Sequence, residues 1–282
     1  MKLFNSRKAK GSEDPQAESA AQPGLLIPRE AQLSQSMGKT RSHMEDSAIA
    51  LTFQLAAPEN KHNLGLYMVA DGMGGHLNGE VASKLAVQTV SGRINQSVVE
   101  PLRLGKDTFS DEEIEVCLTE AMDAAQKIIL NTVSGGGTTL SLALILDQRL
   151  HIAHVGDSRV YLWDGQGSLR QLTRDHSLVR RLIDLGEIDA RDAASHPQRN
   201  VLIRALGQTE GFKADILHEE LSEPGLLLLC SDGLWGQVTE SELVKLLTRS
   251  ASLQEGAQAL VRKADLAGGI DNVSVILVRI SE

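Results

Sequence analysis

Short runs of apolar residues recur along the chain from residue 25 onward, each of the length expected for a buried β-strand. Two runs, 139–146 and 150–155, are separated only by the turn-forming residues 147–149, so they predict a β-hairpin. Runs 160–163 and 169–172 flank a glycine-containing turn and predict two more strands. Further strands are predicted at 64–70, 226–230 and 273–280.

Helices are predicted between these strands, from apolar residues at helical spacing and from their end signals. Three of them are preceded by a Ser or Thr with a Glu three residues later, the spacing of a capping box. Asn78 is predicted to cap a further helix that continues through Val90, and Gly268-Gly269 is predicted to end the last helix. The capping pairs are Ser110 with Glu113, Thr239 with Glu242, and Ser252 with Glu255.

Strands in hairpins, with helices inserted in pairs, favour antiparallel sheets covered by helices over a chain of βαβ units. No linker or internal repeat interrupts residues 25–282, so this stretch is predicted to be one domain. Residues 1–24 are predicted to be a disordered tail, because they are rich in small and polar residues. The basic residues at the start of the tail lack the apolar segment of a signal peptide.

Composition argues against several classes of protein. Hydrophobic residues make up 41% of the chain and aromatic residues only 3%, so the core must consist of Leu, Val, Ile and Ala. The formal net charge of -9 argues against nucleic-acid binding, which needs a basic surface. No stretch reaches the roughly 20 apolar residues of a membrane span. With only Cys117 and Cys230 present, a disulfide framework is not expected, and a reducing cytoplasm fits.

Acidic residues stand at the ends of several predicted strands. An Asp-Gly pair alone is a common turn, so no single one of these sites indicates a function. Their repetition does, because carboxylates at several strand ends could converge on one edge of a sandwich, where they would repel one another. The acidic sites are Glu45-Asp46, Asp71-Gly72, Asp157, Asp232-Gly233 and Asp271.

Divalent cations would remove this repulsion, and clustered carboxylates are hard oxygen ligands that suit Mg²⁺ or Mn²⁺. A glycine after an aspartate lets the backbone approach a cation closely, so the Gly72 carbonyl is a further candidate ligand. Zinc is not indicated, because histidines are few and the cysteines do not cluster.

Taken together and in their order along the chain, these motifs resemble the PPM family, the PP2C-type protein phosphatases, in its bacterial form. No single motif is specific, but the set is. The matching pieces are Arg41-x-x-x-Glu45-Asp46, Asp71-Gly72-Met73-Gly74-Gly75-His76, Gly79-Glu80-x-Ala82-Ser83, Gly137-Thr138-Thr139, Gly156-Asp157-Ser158-Arg159, Ser231-Asp232-Gly233-Leu234 and Asp271-Asn272.

The resemblance implies an α+β fold, a four-layer α-β-β-α sandwich of two antiparallel sheets flanked by helices. It also implies two Mn²⁺ or Mg²⁺ ions that activate a water for attack on a phosphate monoester. In this scheme Asp71 bridges the two metals and the Gly72 carbonyl binds the first. Asp232 and Asp271 bind the second.

The remaining roles also follow from the resemblance. Arg41 grips the substrate phosphate, to which a planar guanidinium is matched. Glu45 and Asp46 complete the catalytic set by binding the metal cluster or holding its waters. Asp157, with Asp232, holds a third and looser metal.

Some residues near these motifs are harder to assign. Animal relatives carry a proposed general acid, a histidine, where this chain has Met73; bacterial relatives usually have Met there, so the leaving-group proton stays unassigned. Residues 175–207 resemble the family's flap, in which His196 and Arg199 either contact substrate or belong to a mobile surface loop. His76 is either functional or a residue at a helix entry.

Three other polar residues are predicted to be structural. Arg159 is expected to act as a pairing partner, and His176 is expected to stand before a helix capped by Ser177. Cys230, although it lies next to Ser231-Asp232, is expected to be inert packing in a buried strand.

These expectations describe a cytoplasmic, monomeric protein phosphatase that acts on phosphoserine and phosphothreonine and opposes bacterial serine/threonine kinases. An alternative from another class is a catalytically silent phosphoprotein-binding module of the same fold; the complete carboxylate set and Arg41 argue against it. A third interpretation is a switch enzyme that dephosphorylates one anti-sigma-factor antagonist. Such enzymes usually carry sensor domains, and none is visible in the sequence.

Overall fold

The computed structural model describes residues 26–56, 61–74, 77–193, 196–208 and 212–281. The predicted tail at 1–24 and His76 lie outside the described residues. Within the described ranges, no helix combines the length and the apolar character that crossing a bilayer requires.

Two five-stranded antiparallel sheets form the centre of the molecule. The first sheet contains, in spatial order, β1 (Ile27–Ser36), β12 (Val273–Ser281), β11 (Gly225–Cys230), β8 (Arg159–Trp163) and β9 (Leu169–Gln171). The second contains β10 (Asp215–Glu220), β7 (Arg149–Val155), β6 (Leu140–Leu146), β3 (Lys61–Ala70) and β2 (Ser47–Ala56). A short ribbon pairs β4 (Gly72–Met73) with β5 (Gly137–Thr138).

Helices cover the outer face of each sheet. The second sheet packs against α1 (Leu77–Ile94), a π-helical turn (Asn95–Val99), α2 (Glu100–Arg103) and α3 (Asp111–Thr132). The first sheet packs against α5 (Asp232–Trp235), α6 (Glu240–Arg249) and α7 (Leu253–Leu266). One further helix, α4 (Leu178–Asp184), lies within the segment that resembles a flap.

Successive side chains of a buried strand point to opposite faces of its sheet, and each face packs into a different core. Both faces are therefore apolar, which explains the almost unbroken apolar runs of these strands. On β3, Tyr67 and Val69 pack between the two sheets, whereas Leu66 and Met68 pack under the helices of the second sheet. Leu228 of β11 likewise packs under the helices of the first sheet. The layers are therefore α-β-β-α, and the predicted fold class is confirmed.

The predicted strands and hairpin are confirmed, with β6 and β7 paired from Leu140↔Val155 to Leu146↔Arg149. The capping boxes at Ser110 and Thr239 are confirmed. Ser252 also caps its helix, but the Glu255 carboxylate accepts from the Ala251 amide instead.

The prediction for Asn78 is wrong. The helix begins one residue earlier, at Leu77, so Asn78 lies within its first turn. Its side-chain amide donates to the Ser134 carbonyl at 3.0 Å, and thus ties α1 to the loop before β5. The Asn78 side chain therefore makes a tertiary hydrogen bond, although the local sequence favours it as a helix cap.

Candidate active site

The ends of several strands from both sheets meet around one cavity of about 220 Å³. Its lining includes the predicted arginine and all but one of the predicted acidic residues. Met73, Gly74, Thr139, Asn200 and Leu202 complete the wall. The predicted residues in the lining are Arg41, Glu45, Asp71, Gly72, Asp157, Asp232 and Asp271.

Asp71 is held in place through its backbone. Its amide donates to Thr139 Oγ1 at 2.9 Å, and its carbonyl accepts from the Thr139 amide at 2.9 Å and from Thr138 Oγ1 at 2.9 Å. Thr139 Oγ1 also contacts Ser158 Oγ at 2.7 Å, next to Asp157. The Gly137-Thr138-Thr139 motif therefore fixes the carboxylate without contributing one of its own.

Gly72 lies where two other backbone segments pass closely. A Cβ at this position would be 2.3 Å from the Gly79 carbonyl oxygen and 2.5 Å from the Glu45 carbonyl oxygen. No side chain fits there without moving α1 or the loop that carries Glu45. The requirement for glycine is thus steric, and it keeps the segment after Asp71 against the floor of the cavity.

Asp46 lies behind the cavity and does not line it. Its Oδ2 atom accepts hydrogen bonds from Ser231 Oγ at 2.8 Å and Ser274 Oγ at 2.7 Å, whereas Oδ1 is buried without a hydrogen-bond partner among the described residues. Burial raises the pKa of Asp46 to about 7, and the charges of Asp232 and Asp271 add to this effect.

The other enclosed carboxyls are perturbed in the same direction. Burial raises the pKa of Asp232 to about 6, and the neighbouring Asp271 contributes further. Burial is also the first cause of the raised pKa of Asp71 and of Asp157, with the surrounding aspartates next. The protein alone therefore brings these carboxylates together at an electrostatic cost.

Asn272 joins the two halves of the site, a role that the sequence did not reveal. Its Oδ1 atom accepts from the Glu45 amide at 2.7 Å. Its Nδ2 group donates to the carbonyls of Met37 at 2.9 Å and His43 at 3.0 Å. Asn272 thus fastens the loop that carries Arg41 to the start of β12.

Arg41 stands at the rim of the cavity with 45% of its side chain exposed. Its Nη2 group donates to Asp271 Oδ2 at 2.7 Å, and Nη1 lies 3.5 Å from Glu45 Oε2. The hydrogen bond to Asp271 is the first cause of its raised pKa. The guanidinium is therefore charged, oriented and open to solvent on one side.

The donor set fits divalent cations. Asp232 Oδ1, like Asp46 Oδ1, is buried without a hydrogen-bond partner in the part of the chain that the structure describes. Unpaired buried carboxylate oxygens are costly, and a cation among them would remove both this cost and the mutual repulsion. Oxygen ligands of this kind suit Mg²⁺ or Mn²⁺.

A larger groove of about 700 Å³ adjoins the cavity and shares Asn200, Asp232 and Asp271 with it. Arg199 lines this groove, as do Trp235 and residues of α4. His196, in contrast, is not part of the groove wall, and its Nδ1 atom accepts from the Gln198 amide at 3.1 Å.

The three residues predicted to be structural have contacts of that kind. Arg159 pairs with Asp175 at 2.7 Å and stacks on the Trp235 ring. His176 is buried, accepts from the Gly156 amide at 3.2 Å and lies 2.9 Å from Asp215 Oδ2. Cys230 is fully buried, and burial raises the pKa of its thiol to about 12, so it is not a nucleophile.

The proteins that this chain resembles in sequence and in structure are protein phosphatases. The protein phosphatase 2C family model matches residues 53–268. The serine/threonine phosphatase stp of Listeria welshimeri is 39% identical over 254 residues, which cover 88% of this chain and 94% of that protein.

Solved structures extend the similarity. Serine/threonine phosphatase Stp1 from Staphylococcus aureus has a TM-score of 0.78 at 28% identity, over 95% of this chain and 100% of that one. The catalytic domain of the phosphatase PstP in complex with 2 manganese ions has a TM-score of 0.72 at 28% identity, over 91% and 100% of the two chains.

Proposed function

Because the chain belongs to the protein phosphatase 2C family, we propose that it is a metal-dependent phosphatase that hydrolyses phosphoserine and phosphothreonine in proteins. The observation that carries this proposal is the cavity itself, where Asp71, Asp232 and Asp271 converge beside the exposed guanidinium of Arg41. The carboxylates are placed to hold cations and the arginine to hold a phosphate.

We assign the metals to this cavity. Asp71 and the Gly72 carbonyl would hold one Mn²⁺ or Mg²⁺ ion, and Asp71, Asp232 and Asp271 a second; the manganese-bound PstP domain supports this count. When bound, the ions supply an acidified water and offset the negative charge of the phosphate. Glu45 at the cavity wall and Asp46 behind it would orient the waters of the cluster.

Arg41 is the residue we assign to the substrate phosphate. Its guanidinium is held by Asp271 and Glu45 on one side, which leaves the exposed side to meet an anion. A fork of N–H donors binds two phosphate oxygens at once, so the phosphate would enter in one orientation. Positioning and charge compensation supply most of the rate in phosphoryl transfer.

The direct test is hydrolysis of phosphoserine and phosphothreonine peptides by the purified chain. We expect turnover with Mn²⁺ or Mg²⁺ and a fall to background in excess chelator, with recovery when metal is returned. A phosphoserine peptide that binds tightly but is not hydrolysed at saturating metal would establish the silent binding module instead. Hydrolysis at the full rate in excess chelator would refute the metal assignment.

We further propose that Asp157, with Asp232, holds a third cation. Asp157 is buried, lines the cavity, and is fixed by the Trp235 indole, which donates to its carbonyl at 2.9 Å. Asp157→Asn is expected to bind one Mn²⁺ fewer at saturation, as counted by electron paramagnetic resonance, while its thermal midpoint is maintained. An unchanged metal count with a lower midpoint would mean that Asp157 only shapes the turn between β7 and β8.

Arg199 is proposed to contact phosphoprotein substrates in the groove, and His196 is kept as a second candidate at its edge. We expect Arg199→Ala to reduce turnover of a phosphoprotein about tenfold and to leave a small aryl phosphate unaffected, since small substrates reach only the cavity. Arg191→Ala is the matched control, because Arg191 pairs with Asp189 and does not line the groove. Equal losses on both substrates would indicate a role in folding or catalysis.

The cellular setting is proposed from the same resemblance. The enzyme would act as a monomer in the cytoplasm, opposing serine/threonine kinases, and both described cysteines are unpaired, as that compartment favours. Phosphoproteomics after deletion of the gene identifies the proteins whose phosphorylation the enzyme controls, and light scattering measures whether the protein is a monomer in solution. An increase in phosphorylation confined to one anti-sigma-factor antagonist would favour the switch enzyme.

A further inference from the structure

Two histidines and two carboxylates meet at an edge of the second sheet, away from the cavity. His151 of β7 and His218 of the edge strand β10 are directly paired across the two strands. Such pairs share a face of the sheet, and here that face is the one covered by helices, because the neighbouring pair Ala153 and Ile216 packs there.

The N-terminal end of α3 lies over this histidine pair. Its first two turns present Asp111 and Glu115, which are four residues apart and therefore share one face of the helix. Asp111 Oδ1 lies 3.9 Å from His151 Nδ1, and Glu115 Oε2 lies 3.7 Å from His218 Nε2. One ligand atom each from Asp111, His151 and His218 lies within 4.8 Å of the others.

The two imidazoles point the same type of atom at each other. His151 Nδ1 and His218 Nδ1 are 2.8 Å apart, so only one proton fits between them. Burial first, and the neighbouring His218 next, lower the pKa of His151 to about 4. His151 is therefore neutral near pH 7, which is the form that binds metal ions.

The other ring nitrogen of His218, Nε2, has no hydrogen-bond partner among the described residues. His218 Nε2 is buried and makes no hydrogen bond within the described residues, although the Glu115 carboxylate is nearby. A metal-bound histidine commonly donates its other N–H to a carboxylate, which fixes the ring and strengthens the ligand. Glu115 is positioned for that role, with Nδ1 of His218 left to face the site.

We propose that His151, His218 and Asp111 form a zinc site that joins the start of α3 to the edge strand β10. Two imidazole nitrogens and one carboxylate, with a water in the fourth position, make a tetrahedral set that prefers Zn²⁺ to Mg²⁺ or Mn²⁺. Arg149 bonds the other oxygen of Asp111 and leaves Oδ1 facing His151. None of the three ligands lines the carboxylate cavity, so the site is separate from the phosphatase centre.

The sequence does not indicate zinc, because histidines are few and the cysteines do not cluster. Residues 111, 151 and 218 are far apart in the sequence and have no short spacing of the kind that signals a metal motif. Only strand pairing and the packing of α3 bring them together.

The test is a Zn²⁺ titration of untagged protein by calorimetry, in excess Mg²⁺ so that the carboxylate cavity is occupied. We expect one Zn²⁺ to bind. His218→Gln should weaken the binding by at least about 100-fold, and Glu115→Gln by about 10–100-fold. His62→Gln is the matched control, because His62 is also a buried histidine on this sheet, 3.1 Å from the single carboxylate of Asp147. It should bind Zn²⁺ like the parent.

Thermal unfolding gives a second readout. Zn²⁺ should raise the melting temperature of the parent and of His62→Gln, because it binds only the folded site. It should leave the melting temperatures of His218→Gln and Asp111→Asn unchanged. Equal Zn²⁺ affinity in the parent and in folded His218→Gln, or no binding in excess Mg²⁺, would overturn the proposal. Neither result bears on the phosphatase activity, which the phosphopeptide assay tests separately.

Discussion

Asp71→Asn is expected to lose at least about 1000-fold in phosphopeptide hydrolysis at saturating metal. Removing a ligand that faces both proposed cations removes several kcal/mol of charge compensation, and each 1.36 kcal/mol is a factor of ten in rate. Asp232→Asn is expected to behave in the same way. Steady-state rates over a Mn²⁺ titration measure both losses, with Asp189→Asn as a control on an exposed ion pair.

The same substitution should stabilise the protein when metal is absent. The pKa of Asp71 is raised by burial and by the charges of Asp46 and Asp232, so the folded state binds protons more tightly than the unfolded chain. Stability from this group is complete below about pH 4, the usual aspartate range, and is lost as the pH rises through the raised pKa.

Denaturant unfolding in chelator should therefore show Asp71→Asn to be more stable than the parent near neutral pH, and this difference should shrink as the pH falls toward about 4. Turnover within tenfold of the parent at saturating Mn²⁺ would show that Asp71 is not a core ligand. Loss of turnover together with unfolding in chelator would mean that the carboxylate has a structural role.

Asn272→Ala is expected to destabilise the protein by about 3 kcal/mol and to slow turnover about 100-fold. The substitution deletes three hydrogen bonds and leaves the Glu45 amide and the carbonyls of Met37 and His43 without their partner. The loop would then drift, and a shift of about 1 Å in a positioning group can cost 100-fold in rate.

Urea unfolding and steady-state kinetics with a phosphopeptide measure the two effects of Asn272→Ala. The control is Asn131→Ala, because Asn131 is exposed near the end of α3. The loss of turnover should persist at temperatures where the variant is fully folded. If turnover is normal there, Asn272 stabilises the fold but does not position Arg41.

Local chemistry explains the parts of the fold that the sequence predicted well. Apolar runs such as β6 and β7 are buried in any compact fold. The short turn at residues 147–149 favours pairing of the two runs as an antiparallel hairpin. The boxes at Ser110 and Thr239 satisfy helix ends within four residues, so no distant contact is needed. The prediction for Asn78 failed because the side chain bonds Ser134, which is distant in sequence, and a local pattern does not reveal such a contact.

The sequence by itself determined which acidic residues follow or precede buried strands, because the motif order and the strand pattern are both local. Tertiary structure alone decided how they divide: Asp71, Asp157, Asp232 and Asp271 line one cavity, while Asp46 is held behind it by two serines. It alone made Asn272 the link to the Arg41 loop and paired His151 with His218 under α3. The reason is physical: such contacts join residues far apart in sequence, and they form only where the pairing register and the packing of the layers place them.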